Sequence, residues 1–230
     1  MPEAVAPPRE AYFVVVSGSM NPAIHSPQWY RTIGAIDEAE LQAALKVPSL
    51  STTPLSSHLE FGSPPLTVAC QTEQWWIQSA VIGSWPRMID VTSLVFSKLK
   101  ETPLESFGLV AHRHIDTDGA DIKSVLAAAL GELSLGLPIS GKSTRSNISL
   151  SVVEQDYEAT TSIQPSYLSE RSVFILYRRE YEVPKAPSGY VDLGAVLKVR
   201  SEQFLSGSSE IFTSIVAAVN ARLAKGTTNE

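Results

Sequence analysis

The order of its apolar runs constrains this chain most. "AYFVVVS" (11–17), "LTVAC" (66–70), "WWIQSAV" (75–81) and "FGLVAHRHI" (107–115) are dense in β-branched and aromatic residues and read as strands. A helix start lies between the first two. Asp37 is its cap, Glu40 completes a capping box, and Ile36 and Leu41 occupy the staple positions; the helix ends near Lys46, before Pro48. A second helix opens at Ser84 with Pro86 in its first turn, and Trp85, Met88, Ile89, Val95, Phe96 and Leu99 form its apolar stripe. "QWYRTIGAI" reads as an extended segment, and "NPAIHSP" and "VPSLSTTPLSSH" as loops. The first half is therefore β-α-β-β-α-β, the order of a split, ferredoxin-like unit.

The second half opens with a helix over 121–135. Asp121 is its cap, and Ile122, Val125, Leu126, Ala129, Leu130 and Leu133 line one face. "NISLSVVEQ", "YEATTSIQ" and "RSVFILYRREYEV" follow as strands. "YVDLGAVL" fits a strand or a helix equally. A last amphipathic helix is capped at Ser208 or Ser209 and buries Ile211, Phe212, Ile215, Val216, Val219 and Leu223. The expected fold class is α+β: a ferredoxin-like βαββαβ first half continued by a second antiparallel sheet lobe with a C-terminal amphipathic helix. One compact unit spans 11–225, with lobes at 11–116 and 117–225 and disordered tails at 1–10 and 226–230.

Composition narrows the function classes. The 230 residues carry a net charge of −6, with 43% hydrophobic and 18% charged residues. A negative chain gains nothing from long-range attraction to a phosphate backbone, which disfavours nucleic acid as the partner. Cys70 is the single cysteine, so no internal disulfide and no cysteine metal cluster can form. The start "MPEAVAPPREAY" lacks a basic region and an apolar core, and no apolar run reaches the length of a membrane span. A cytoplasmic location without membrane contact is expected.

"GLPISGKST" (136–144) matches the phosphate-binding P-loop spacing through Gly136, Gly141, Lys142 and Ser143. A working P-loop follows a strand and opens a helix, whose free N–H groups hold the phosphates. Here the order is reversed, and Pro138 removes a donor inside the loop. Gly136 reads as the residue ending the preceding helix and Pro138 as its stop. The match is taken as false, and no cofactor is expected.

"FGLVAHRHIDTD" is the better candidate for chemistry. On a strand, His112, His114 and Asp116 share one face. Two imidazoles and a carboxylate suit zinc or iron, and His25 or His58 could complete the set from a loop. The pair could instead act as general base and acid on a phosphodiester. A hydrogen-bonded structural role is the alternative, and buried His112 is then expected to lie deeper than His114. Trp75 and Trp76 point to opposite faces of one strand. One belongs in the core; a covering helix is the expectation for the other, with a partner anchor as the alternative. Arg178, Arg179, Lys142, Arg145, Lys198 and Arg200 could form a basic patch or be ordinary surface charge. Cys70 is expected to pack as a small hydrophobe.

The stretch "LTVACQTEQWWIQSAV", a helix, and then "FGLVAHRHID" resembles a sporadically distributed family of uncharacterised bacterial proteins of about this length. Asn21-Pro22, Phe107-Gly108 and the helix over 209–224 are the matching positions, and the order of elements corresponds over 12–225. The resemblance carries no catalytic residue. Its sporadic distribution implies a mobile-element or defence-associated setting. The expected function is a non-enzymatic binding or assembly protein working through protein–protein contacts, as a homodimer formed at a sheet edge or with another protein. The alternative is a histidine- or metal-dependent hydrolase or RNA-processing protein using the His112/His114 strand.

Overall fold

The computed structural model describes residues 9–116, 148–169, 171–183 and 192–226. The helix expected over 121–135, the P-loop look-alike with Lys142, Arg145 and the expected tails from 1 to 8 and 227 to 230 lie outside them. The described residues form an α+β fold built on one nine-stranded antiparallel sheet.

The strands are β1 (Glu10–Gly18), β2 (Ser51–Thr52), β3 (Ser56–Phe61), β4 (Leu66–Gln71), β5 (Gln74–Ser79), β6 (Leu104–Asp116), β7 (Ile148–Val153), β8 (Glu158–Pro165) and β9 (Ser172–Glu182). Their order is β2-β3-β4-β5-β1-β6-β9-β8-β7. The strands of the second half do not form a sheet of their own. β9 pairs with β6 along eleven register positions, from Ser106↔Glu182 to Asp116↔Ser172, and extends the first-half sheet.

The helices are α1 (Pro27–Thr32), α2 (Glu38–Ala44), α3 (Trp85–Lys98) and α4 (Leu193–Gly226). The box at α2 forms as expected: Glu40 N–H donates to Asp37 Oδ1 at 2.8 Å, and Asp37 N–H to Glu40 Oε2 at 2.9 Å. The segment read as extended after Gln28 is instead α1. Ser26 Oγ caps it by accepting from Trp29 N–H, and Pro27 fills its first position, a start signal that outweighs the local β-formers. The stretch read as a loop before Leu59 contains β2 and the start of β3, because Leu59 and Phe61 alternate into the core.

The C-terminal helix begins far earlier than Ser208. Asp192 caps α4 by accepting from Ala195 N–H at 3.2 Å. Leu193, Leu197, Ser201, Phe204, Ser208, Phe212 and Ile215 then recur every three or four residues as one buried stripe, so the helix has no reason to break. Ser201 and Ser208 sit inside it by donating back to the carbonyls of Lys198 and Leu205, both at 3.0 Å. Gly194 lets α4 approach α3: a Cβ there would stand 2.9 Å from Ser93 Cβ, closer than side chains tolerate.

The sheet's first face is the covered one. Tyr12, Val14, Val16, Leu59, Val68, Trp75, Ile77, Phe107, Leu109 and Ile175 point to it and are buried. Trp85 of α3 meets Tyr12 edge-on at 6.2 Å. Phe204 of α4 stacks between Trp85 (5.4 Å) and Tyr177 (5.5 Å) and joins both helices to the sheet.

Phe204 is fully buried in this stack. Urea unfolding of Phe204→Ala should show a loss of about 3–5 kcal/mol, and a loss below about 1 kcal/mol would contradict the role given to α4. Val199→Ala, on the exposed side of the same helix, should stay within about 0.5 kcal/mol of the parent.

Candidate functional site

The second face carries a continuous aromatic row. The register aligns Phe13 of β1 with Gln78 of β5 and Val110 of β6, and it sets Trp76 and His112 on the same side. Trp76 meets Phe13 at 6.3 Å between ring centroids, Phe13 meets His112 at 5.6 Å, and His112 meets Phe174 at 5.1 Å. His114 lies 5.8 Å from His112 and 5.0 Å from Phe174. Tyr167, 65% exposed, stands edge-on to His114 at 4.7 Å. Six rings thus cross β5, β1, β6 and β9 and end on the segment between β8 and β9.

The aromatic contacts of α1, α3 and α4 all run to the first face. Among the described residues no helix ring packs on Trp76; Phe13 is its aromatic neighbour, and Trp76 stays half-buried. Trp75 is the core member: fully buried, it donates through Nε1 to Tyr30 Oη at 3.0 Å.

His112 and His114 do share the second face and stand side by side. His114 Nδ1 is 2.8 Å from Ser166 Oγ, and its backbone N–H donates to the Arg9 carbonyl at 2.7 Å. Neither Nε2 has a hydrogen-bond partner, although both atoms are buried. Burial lowers the His112 pKa to about 4, aided by the neighbouring His114. Burial also lowers that of His114, with the Arg9 charge adding to it. By accessible surface the depth order is reversed, whereas burial depresses the His112 pKa the more strongly, as expected. His114 is only 9% exposed because Ser166 and Tyr167 close over it, and His112 keeps more accessible surface while losing more of its hydration energy to the surrounding rings.

Asp116 is already engaged. Its Oδ1 accepts from Ser172 Oγ at 2.6 Å and its Oδ2 pairs with Arg9 at 2.8 Å, and these two contacts hold its pKa below the usual carboxylate value. The other two histidines do not join the pair. His25 is buried with Trp29 and Tyr30 beside Trp75, on the first face. His58 sits on β3, four strands from β6, roughly 19 Å at about 4.8 Å per strand. Among the described residues no group of three or more His, Cys, Asp and Glu side chains could hold a metal ion.

Among the described residues, Arg179 and Arg200 converge on Tyr181 and Gln203, and Arg178 stands apart from them. Arg178 and Arg179 point to opposite faces; Arg178 pairs with Glu180 at 2.6 Å, and Arg179 lies over Tyr157 at 4.7 Å. Arg200 pairs with Asp156 at 3.0 Å. A cleft of about 980 Å³ at one end of the sheet is lined instead by Glu105, Glu154, Asp156, Glu158, Glu180 and Glu182. Cys70 packs as expected, fully buried, with its thiol pKa pushed up to about 12 by burial.

Phe13, Phe174, Tyr167 and Ser166 were not singled out in the sequence. Phe174 and His112 share a face only through the β6–β9 register, which no local pattern encodes. The adjacent tryptophans were the one usable signal. No protein-family model matches the chain, and no match was found among curated proteins.

Two histidines held neutral by burial make stability depend on pH. His25 and His112 both have pKa values near 4, below the ordinary 6.5. The unfolded chain therefore takes up protons first on acidification, and stability is full above about pH 6.5 and is lost as pH falls toward 4. His112→Leu removes one such group and an unpartnered buried nitrogen. Its melting temperature should match or exceed the parent's at neutral pH and fall less steeply on acidification; an unchanged slope would contradict the assignment.

Proposed function

We propose that this chain is a non-enzymatic binding protein that docks a protein partner on the second face of its sheet, as a subunit of a larger assembly. The row Trp76–Phe13–His112–Phe174–Tyr167 carries this reading. Tryptophan and tyrosine on such a surface provide large, stiff contact area and dominate binding energies at protein interfaces. Four strands hold the row, so the partner meets a preformed platform. The antiparallel order β4-β5-β1-β6, with α3 crossing from β5 to β6, supports reading this part as a ferredoxin-like unit. The resemblance noted in the sequence would set the assembly in a mobile-element or defence context.

Such a unit with aromatics on its open face also suits single-stranded RNA. The charge argues for protein. Two arginines on this face, Arg9 and Arg178, are paired with Asp116 and Glu180, and the cleft at one end of the sheet holds six carboxylates that would repel phosphates. The histidine-dependent hydrolase remains the second reading. It is favoured by the two unpartnered Nε2 atoms on rings 5.8 Å apart, a pair able to share a proton or hold an ion.

The test compares the tagged parent with Trp76→Ala/Tyr167→Ala in cells of its source. A protein retained in fixed proportion by the parent should be lost with the variant. Its affinity, once purified, should fall by at least about 2 kcal/mol, roughly thirtyfold. A partner retained equally by both would refute the docking face. Single-stranded RNA bound by the parent and not by the variant would replace protein with RNA. Transition metal above about a tenth of an equivalent in the pure chain would favour the hydrolase.

A further inference from the structure

The two edges of the sheet are protected very differently. At one edge, β2 is only Ser51–Thr52 and lies between Pro48 and Pro54; beyond it β3 carries Glu60 and packs against α2. Short strands, prolines and charges are how sheet edges avoid pairing with other chains. At the other edge β7 has six residues, Ile148–Val153, with no proline, no charge and no irregularity in its pairing to β8. Its second backbone edge faces away from the sheet. Val152 and Val153 point to opposite faces, yet they are 54% and 80% exposed, so the end of β7 is uncovered on both sides.

We infer that β7 is a self-pairing edge, where two copies of this chain join antiparallel into one continuous sheet. The side chains are self-complementary. A two-fold axis through Leu150 sets Leu150 against Leu150 on the helix-covered side, and Ser149 against Ser151 on the other. Those serines already share hydroxyl contacts at 3.0 Å with Ser162 and Thr160 of β8, and the ladder would continue across the axis. No like charges meet within the strand, and the same axis sends Glu154 of the two copies to opposite ends of the joint. A second copy therefore fits better than a charged extended peptide. The joint does not use the aromatic row, so its failure would leave the docking reading standing.

A ladder of five residues per strand, 148–152, buries less than a standard interface, so the dimer should be concentration-dependent. Sedimentation of the full chain should show its mass rising with concentration from 24.9 kDa toward twice that value. Ser149→Lys/Ser151→Lys places lysines opposite lysines at exposed positions. This variant should stay at 24.9 kDa, with the circular dichroism and melting temperature of the parent. Should it fail to fold, hydrogen exchange on the parent decides: the amides of 148–152 that point away from β8 should lose protection on dilution, and those of β6 should not. A parent that stays monomeric at every concentration, a dimer that survives the lysines, or β7 protection independent of concentration would each overturn the inference.

Discussion

The ladder between β6 and β9 is the constraint on which the rest depends. It is the longest pairing in the sheet and joins the strands of the first half to those of the second. Side chains alternate along a strand, so slipping this pairing by one residue would exchange every residue of one strand between the two faces. In the register observed, Phe107 stacks on Tyr181 at 4.8 Å, and Ala111 lies beside Tyr177, leaving room for Phe204. The same register sets His112 and His114 against Phe174. The packing of α4 and the aromatic row are therefore two outcomes of one alignment.

The two faces do different physical work. The first is packed under helices, and Trp75, Tyr30 and His25 are linked to one another within it. Trp75 can only donate, so Tyr30 Oη accepts from it, and the same Oη lies 3.0 Å from His25 Nδ1. On the second face Phe174 and His114 are buried, Tyr167 is exposed, and the Nε2 atoms of His112 and His114 lack partners. An unpaired buried nitrogen costs roughly 1–3 kcal/mol.

Much of the fold was legible where local signals act alone. The capping box at Asp37, the stripe of α3 and the alternation of β1 are written in consecutive residues and appear as read. Errors arose where the deciding interaction is distant. Ser208 looks like a cap in isolation, but the stripe from Leu193 to Ile215 holds it inside α4. "SSH" (56–58) looks like the end of a loop until β4 pairs with it. The histidine pair was visible from its spacing, whereas the aromatic neighbours that define its surroundings come from β1, β5 and β9 and needed the register. The two tryptophans lie between these cases: alternation separated them, and only the placement of the helices decided which one is core.

Side-chain footprinting with hydroxyl radicals, read by mass spectrometry, tests the central claim most directly, that one face is closed by helices and the other presents an aromatic row. In the isolated, folded chain, Tyr167 and Trp76 should be oxidised, and Trp75 and Trp85, 0% and 3% exposed, should be protected until the chain unfolds. Protection of Trp76 and Tyr167 equal to that of Trp75 would contradict the account.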